Sequence, residues 1–221
     1  MMKTPKVAIV DYDIGNLFSV KNACEAVGMN AIITNETSKI RTADALLLPG
    51  VGAFGHAIDN LRNLGLDQEI KNFVKTGKYL MGICLGMQLL MSKSEEFGEQ
   101  TGLNIIGGTC KRFPNSNSEF SKIKVPQITW NSIQTPNNAS VFSGGHPLND
   151  IKNKEFMYFV HSYYVIPVSS ENILSSTEYY GIEYCSSLIH ENVFAFQFHP
   201  EKSGQKGISI YNNFKKLIVG N

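Results

Sequence analysis

The chain has 221 residues, 43% hydrophobic and 18% charged, a globular composition whose length suits one domain over 1–221 with a core at about 6–219. A formal net charge of +1 supplies no field to gather nucleic acid or an anionic membrane, and no uncharged apolar run reaches membrane-spanning length. Cys24, Cys84, Cys110 and Cys185 lack zinc-ligand or disulfide-framework spacing, so no metal is expected, and free thiols suit a reducing cytoplasm.

The start, Met1-Met2-Lys3-Thr4-Pro5-Lys6, has neither the long apolar region nor the small-residue cleavage site of a secretory signal. Residues 7–10 read as a buried strand that runs into the turn-rich loop 11–16. Leu17, Val20, Cys24 and Val27 then share one helical face, and Gly28 closes that helix. Strands follow at 31–34 and 45–48, the second leading into Pro49-Gly50-Val51-Gly52-Ala53-Phe54-Gly55. Helical spacing returns at Ala57, Ile58 and Leu61, then at Ile70, Phe73 and Val74, with Gly77 as a stop. An apolar run at 79–83 suits a buried strand, and another at 85–91 suits a buried helix. Continuous apolar strands alternating with amphipathic helices imply an α/β fold, a central, mostly parallel sheet with helices on both faces. In such sheets ligands sit off the carboxyl ends of the strands.

After Gly107-Gly108 the pattern changes to short strands at 109–113, 156–160, 163–166, 173–177, 182–184, 187–189 and 193–198, which implies added antiparallel strands in the second half. The polar stretches 115–121 and Thr135–Asn138 read as surface loops. A last helix, 207–219, presents Ile210, Phe214 and Leu217 on one face.

Gly82-Ile83-Cys84-Leu85-Gly86 is the cysteine form of a nucleophile elbow. The turn brings the residues two before and two after Cys84 together, so both are glycine. It also sets Cys84 at a helix N-terminus, where the dipole favours thiolate and the Leu85 N–H is free for an oxyanion. The bland alternative is a small buried hydrophobe. A base is offered by Gln197-Phe198-His199-Pro200-Glu201: residues two apart in extended chain share a side, so Glu201 can orient His199 toward Cys84. Otherwise His199 is a structural histidine beside a solvated glutamate. Glycine-rich backbone at Gly50, Val51 and Gly52 can supply a second oxyanion donor, or be a simple turn; no Gly-Lys-Ser/Thr follows for a phosphate loop. Gly15-Asn16 lacks dinucleotide spacing, so no cofactor is expected. His56, His146, His161 and His190 have no partner spacing and read as structural or exposed.

These motifs resemble those of class I, triad-type glutamine amidotransferases. Within them, Pro49 to Gly55, Lys124-Val125-Pro126 with Trp130-Asn131, and Tyr158-Phe159-Val160-His161-Ser162-Tyr163 resemble the glutaminase subunits of imidazole glycerol phosphate synthase, nearly end to end. The resemblance implies Cys84 as nucleophile, His199 as base and Glu201 as its orienter. It implies Gly52, Gln88, Glu96, Ser162 and Tyr163 around a glutamine substrate. It also implies a (β/α)8-barrel synthase subunit as partner, which receives ammonia through an internal tunnel and is faced by Asn16, Trp130, Tyr158 and Lys202. Gln88 and Glu96 can equally be ordinary polar positions, and Trp130 and Tyr158 core packing. Two departures stand out. Gln127-Ile128-Thr129-Trp130 replaces the usual His-Met-Gly-Trp. Segments such as Glu95-Glu96-Phe97-Gly98 and Glu183-Tyr184-Cys185-Ser186 look like a paralogous branch that supplies ammonia to a sugar in surface-polysaccharide synthesis. A thiol peptidase and a non-catalytic regulatory subunit are the readings from other classes.

Overall fold

The structure is a computed structural model that describes residues 4–137 and 139–220. Met1, Met2 and Lys3 of the N-terminal reading, and Asn138 of the second loop, lie outside the described residues.

The elements run β1 (Lys6–Val10), α1 (Leu17–Ala26), β2 (Asn30–Thr34), α2 (Thr37–Thr42), β3 (Ala45–Gly50), α3 (Phe54–Asn63), α4 (Leu66–Lys75), β4 (Leu80–Cys84) and α5 (Leu85–Leu89). They continue with β5 (Met91–Ser94), β6 (Gln100–Thr101), β7 (Ile106–Arg112), β8 (Gln127–Ile133), β9 (Glu155–His161), β10 (Tyr163–Pro167), β11 (Ile173–Tyr179), β12 (Ile182–His190), β13 (Val193–Phe196) and α6 (Gly204–Val219). Short 3-10 turns cover Ser170–Asn172 and Pro200–Lys202.

The strands β2-β1-β3-β4-β13 lie side by side and parallel, so the last strand of the chain docks beside the one that carries the elbow. From β13 the sheet turns antiparallel through β12, with β11 paired to it, and on through β10 and β7. It ends at β5, parallel to β7, and β6. A separate ribbon pairs β8 with β9, antiparallel. This is the expected α/β architecture, with the antiparallel strands extending the same sheet.

Alternation along each parallel strand feeds two cores. Val7 and Ile9 face one core with Val20 and Cys24 of α1 and Ile210, Tyr211 and Phe214 of α6. Ala8 and Val10 face the other with Ile40 of α2, Phe54 and Leu61 of α3, and Ile70 of α4. Gly28 and Gly77 end their helices with positive φ, as expected. Leu217 is only partly buried.

Several elements differ from expectation. The helix expected over 85–91 ends at Leu89, and Met91 begins a strand. The carbonyls of Leu89, Leu90 and Met91 are taken by the N–H groups of Leu103, Ile105, Ile106 and Asn104, which leaves no ladder to continue. The strands expected at 182–184 and 187–189 are one strand, β12, entered by a hairpin whose two turn residues, Tyr180 and Gly181, both have positive φ. Short α2 buries only Ile40, and β5, β6 and β8 carry too many polar residues to show a run.

Candidate active site

Register sets the first part of the site. Gly50, the last residue of β3, pairs with Cys84, the last residue of β4, and Ile83 pairs with Phe196 of β13. Cys84 sits at φ 54°, ψ −110°, a strained conformation for a residue with a side chain and the one an elbow imposes. Gly86 makes the turn possible, because a Cβ there would stand 1.7 Å from the Leu48 carbonyl oxygen. Helix α5 is too short for a long dipole, so the free N–H groups of its first turn, Leu85's included, are its electrostatic contribution at the sulfur.

Chain continuing from β13 brings in the second part. The His199 side chain is 4% exposed and Nδ1–H donates to Glu201 Oε1 at 2.7 Å; the Glu201 side chain is 2% exposed. Burial pushes the His199 imidazole toward its neutral form, but the Cys84 sulfur and the Glu201 carboxylate beside it reverse that and raise its pKa to about 10. His199 Nε2 makes no hydrogen bond in this arrangement; the Cys84 thiol donates instead to the Val160 carbonyl at 3.8 Å. The His199 backbone is pinned from β9: its N–H donates to the Tyr158 carbonyl at 2.9 Å. Ser203 Oγ donates to the His199 carbonyl at 2.7 Å and accepts from the Tyr158 N–H.

A cleft of about 250 Å³ opens over Cys84, and Val51, Gly52, Leu85, Gln88, Glu96, Ser162 and Tyr163 line it. All five residues expected around the substrate therefore wall one cavity with the sulfur. Of the expected oxyanion residues, Val51, Gly52 and Leu85 reach its wall. Gly50 lies behind them, over the Tyr12 ring: a Cβ on Gly50 would stand 2.0 Å from the Tyr12 hydroxyl. That hydroxyl donates to the Pro49 carbonyl at 2.7 Å, and burial, with the nearby Cys84 charge, holds the phenol well above its ordinary pKa. Glu96 Oε2 accepts from the Phe54 N–H at 2.6 Å, so one carboxylate oxygen caps α3 while the residue borders the cleft.

His161, read as structural or exposed, is buried in the cleft wall. Nδ1–H donates to the Tyr163 carbonyl at 2.8 Å, and burial lowers its pKa to about 4, keeping the ring neutral. His146 is also buried, while His56 is exposed. Trp130, Tyr158 and Lys202 form one group. The Trp130 and Tyr158 rings meet edge-on at 6.0 Å, and Lys202 Nζ lies 6.0 Å from the Tyr158 centroid. Trp130 is 50% exposed, so core packing does not explain it. Asn16 caps α1 and lines a separate open groove with Phe18 and Lys21. Among the described residues no three of His, Cys, Asp and Glu are grouped to hold a metal. Tyr12 and Gln197 are the site residues that sequence reasoning left without a role; for Gln197 the signal was its place two residues before His199, on the same side of an extended chain.

The sequence profile described as glutamine amidotransferase class-I matches residues 8–217. The chain belongs to that family. This amidotransferase is 41% identical over 213 residues to the "Imidazole glycerol phosphate synthase subunit HisH" of Bacillus velezensis, covering 96% of this chain and 97% of the relative. It is 43% identical to the subunit of the same name from Syntrophotalea carbinolica, covering 94% of this chain and 98% of that one. Its fold is shared by a chain of PurLQS from Thermotoga maritima, with a TM-score of 0.70 at 18% identity over 96% of this chain and 97% of that one. The enzyme is a glutamine amidotransferase, and no helix among its described residues is long and apolar enough to cross a membrane.

Proposed function

We propose that this amidotransferase is the glutaminase subunit of an imidazole glycerol phosphate synthase in histidine biosynthesis. It hydrolyses glutamine to glutamate and ammonia and delivers the ammonia to a (β/α)8-barrel subunit. The observation that carries the chemistry is Cys84 at the strained elbow under an amino-acid-sized cleft, with the buried His199–Glu201 pair close enough for its charge to act on the sulfur. The pathway is supported by near-full-length relatives that bear that subunit's name.

The Cys84 thiol passes its proton to His199, whose raised pKa favours an imidazolium beside a thiolate. The thiolate attacks the glutamine side-chain carbonyl. Donors at the start of α5 and along Val51–Gly52 hold the oxyanion, each worth on the order of 3 kcal/mol. His199 returns the proton to the leaving nitrogen, and ammonia departs from a glutamyl thioester. Water deprotonated by His199 then releases glutamate. Glu201 keeps the imidazole oriented throughout. Gln88, Glu96, Ser162 and Tyr163 hold the substrate's charged end. Trp130, Tyr158 and Lys202, and Asn16 at the start of α1, face the synthase subunit, and the exposed apolar side chains Ile128 and Phe156 widen that face.

The test is glutamine-dependent product formation with a purified histidine-pathway barrel subunit. Cys84→Ala is expected to abolish glutamate release while leaving the two subunits associated. Glutamate release by that variant at the native rate would remove Cys84 from the mechanism. Product formation only with a sugar-modifying synthase would move the enzyme to the polysaccharide branch.

A further inference from the structure

Gln197 has no part in the steps above, yet its side chain touches the nucleophile and is fully buried. The two ends of its carboxamide are used differently. Nε2 donates to Cys84 Sγ at 3.7 Å, and Oε1 accepts from Gln88 Nε2 at 3.1 Å. The other Gln88 amide hydrogen goes to the Tyr163 carbonyl at 3.0 Å. Both donors of Gln88 are thus committed to holding it still. Its Oε1 has no protein partner among the described residues, and Gln88 walls the cleft, so that oxygen is the acceptor offered to a ligand.

The backbone explains how Gln197 arrives there. Its N–H donates to the Ser186 carbonyl at 2.9 Å, carrying the pairing with β12 one residue past β13. Phe196 and Phe198 point into the core, so Gln197 and His199 leave the chain on the opposite side. The need for a donor follows from the sulfur's other contact. While Cys84 is a thiol, its S–H points at the Val160 carbonyl. Once the proton leaves, the anion faces the negative end of that carbonyl. The Gln197 N–H is a donor already in place to stabilise it.

We propose that Gln197 is a positioning residue of the glutaminase reaction, its carboxamide steadying the Cys84 thiolate at one end and orienting the substrate acceptor of Gln88 at the other. The pocket half rests on the function proposed above; the sulfur half is readable without turnover. The experiment uses the full chain with Gln197→Glu and Gln197→Met. Alkylation of Cys84 by iodoacetamide across pH reads the sulfur, while kcat and KM for glutamine with the barrel subunit read the pocket. In Gln197→Glu a carboxylate replaces the donor but keeps an acceptor for Gln88. Its alkylation profile moves to higher pH by about one unit or more, with KM changed less than about threefold. Gln197→Met loses both contacts; its profile moves the same way and KM rises on the order of tenfold. If either variant fails to fold, Gln197→Asn, which withdraws the same amide by one methylene, is expected to shift the profile and KM as Gln197→Met does.

Profiles that match the native enzyme in these variants would overturn the sulfur half, and a native KM in Gln197→Met would overturn the pocket half. A native chain that released no ammonia from glutamine with any barrel subunit would overturn the functional reading and the pocket half with it. The alkylation profile would still decide the sulfur half.

Discussion

Every residue of β3, β4 and β13 is buried, whereas along β7, β8 and β9 buried positions are interleaved with exposed or half-buried ones. The difference follows from what covers each region. The central parallel strands β3, β4 and β13 are packed on both faces, so a side chain within them can only be core. Chemistry is therefore pushed to their carboxyl ends: Cys84 is the last residue of β4, and His199 lies three residues beyond β13. The antiparallel arm and ribbon have a freer face. They can wall the cleft with Ser162 and Tyr163 and hold Trp130 and Tyr158 on an outer surface. Rigid backbone fixes the reacting atoms, and alternating strands supply recognition.

The comparison is tested most severely at Gly86. Gly86→Ala drives a methyl into the Leu48 carbonyl of a strand that cannot retreat, because both its faces are packed. It should cost on the order of 3 kcal/mol or more, or prevent soluble expression, as read by chemical denaturation. Stability close to native would mean that the parallel region yields far more than its burial implies.

A medium effect is expected from pH. The folded His199 holds its proton to about pH 10, against an ordinary value of 6.5. Its contribution to stability is therefore complete below about pH 6.5 and is lost as pH climbs toward 10, since the folded state binds the proton that the unfolded state has released. Cys84→Ala removes one of the two groups that raise this pKa, so its unfolding free energy should fall less steeply over the same window. Parallel pH curves for the two proteins would show that the sulfur and the imidazole are uncoupled.

The smallest stability change belongs to the ribbon. Trp130→Ala should alter folding free energy by less than about 1 kcal/mol, because the ring is half exposed. It should weaken association with the barrel subunit by tenfold or more, measured by titration calorimetry. A large loss of stability without loss of association would return Trp130 to a packing role.

The parallel region was also the more legible from sequence. Residues 7–10, 45–48 and 79–83 are continuous apolar runs, and their glycines mark the loops that leave them. Cys84, His199 and Glu201 could be named because each carries its local geometry with it: two glycines around one, a two-residue spacing between the others. What failed did so where a tertiary partner decided. The run 85–91 has no internal sign that Leu103 to Ile106 will take its last carbonyls. Polar β8 became a strand because β9 pairs with it over its full length. Gln197 lies within the motif Gln197-Phe198-His199-Pro200-Glu201, but its use depends on Gln88, which sits 109 residues earlier in the chain.

Gly50, at the end of β3, lies against the Tyr12 side chain. The Tyr12 hydroxyl occupies the space where any side chain at Gly50 would begin, and it is anchored on the neighbouring Pro49 carbonyl. An exchange at position 50 would have to evict a buried ring before touching an oxyanion. Loss of activity in such a variant would report a collapsed floor as readily as a missing donor. Dissecting oxyanion stabilisation in this enzyme therefore calls for backbone chemistry, such as an ester in place of a single amide, rather than side-chain replacement.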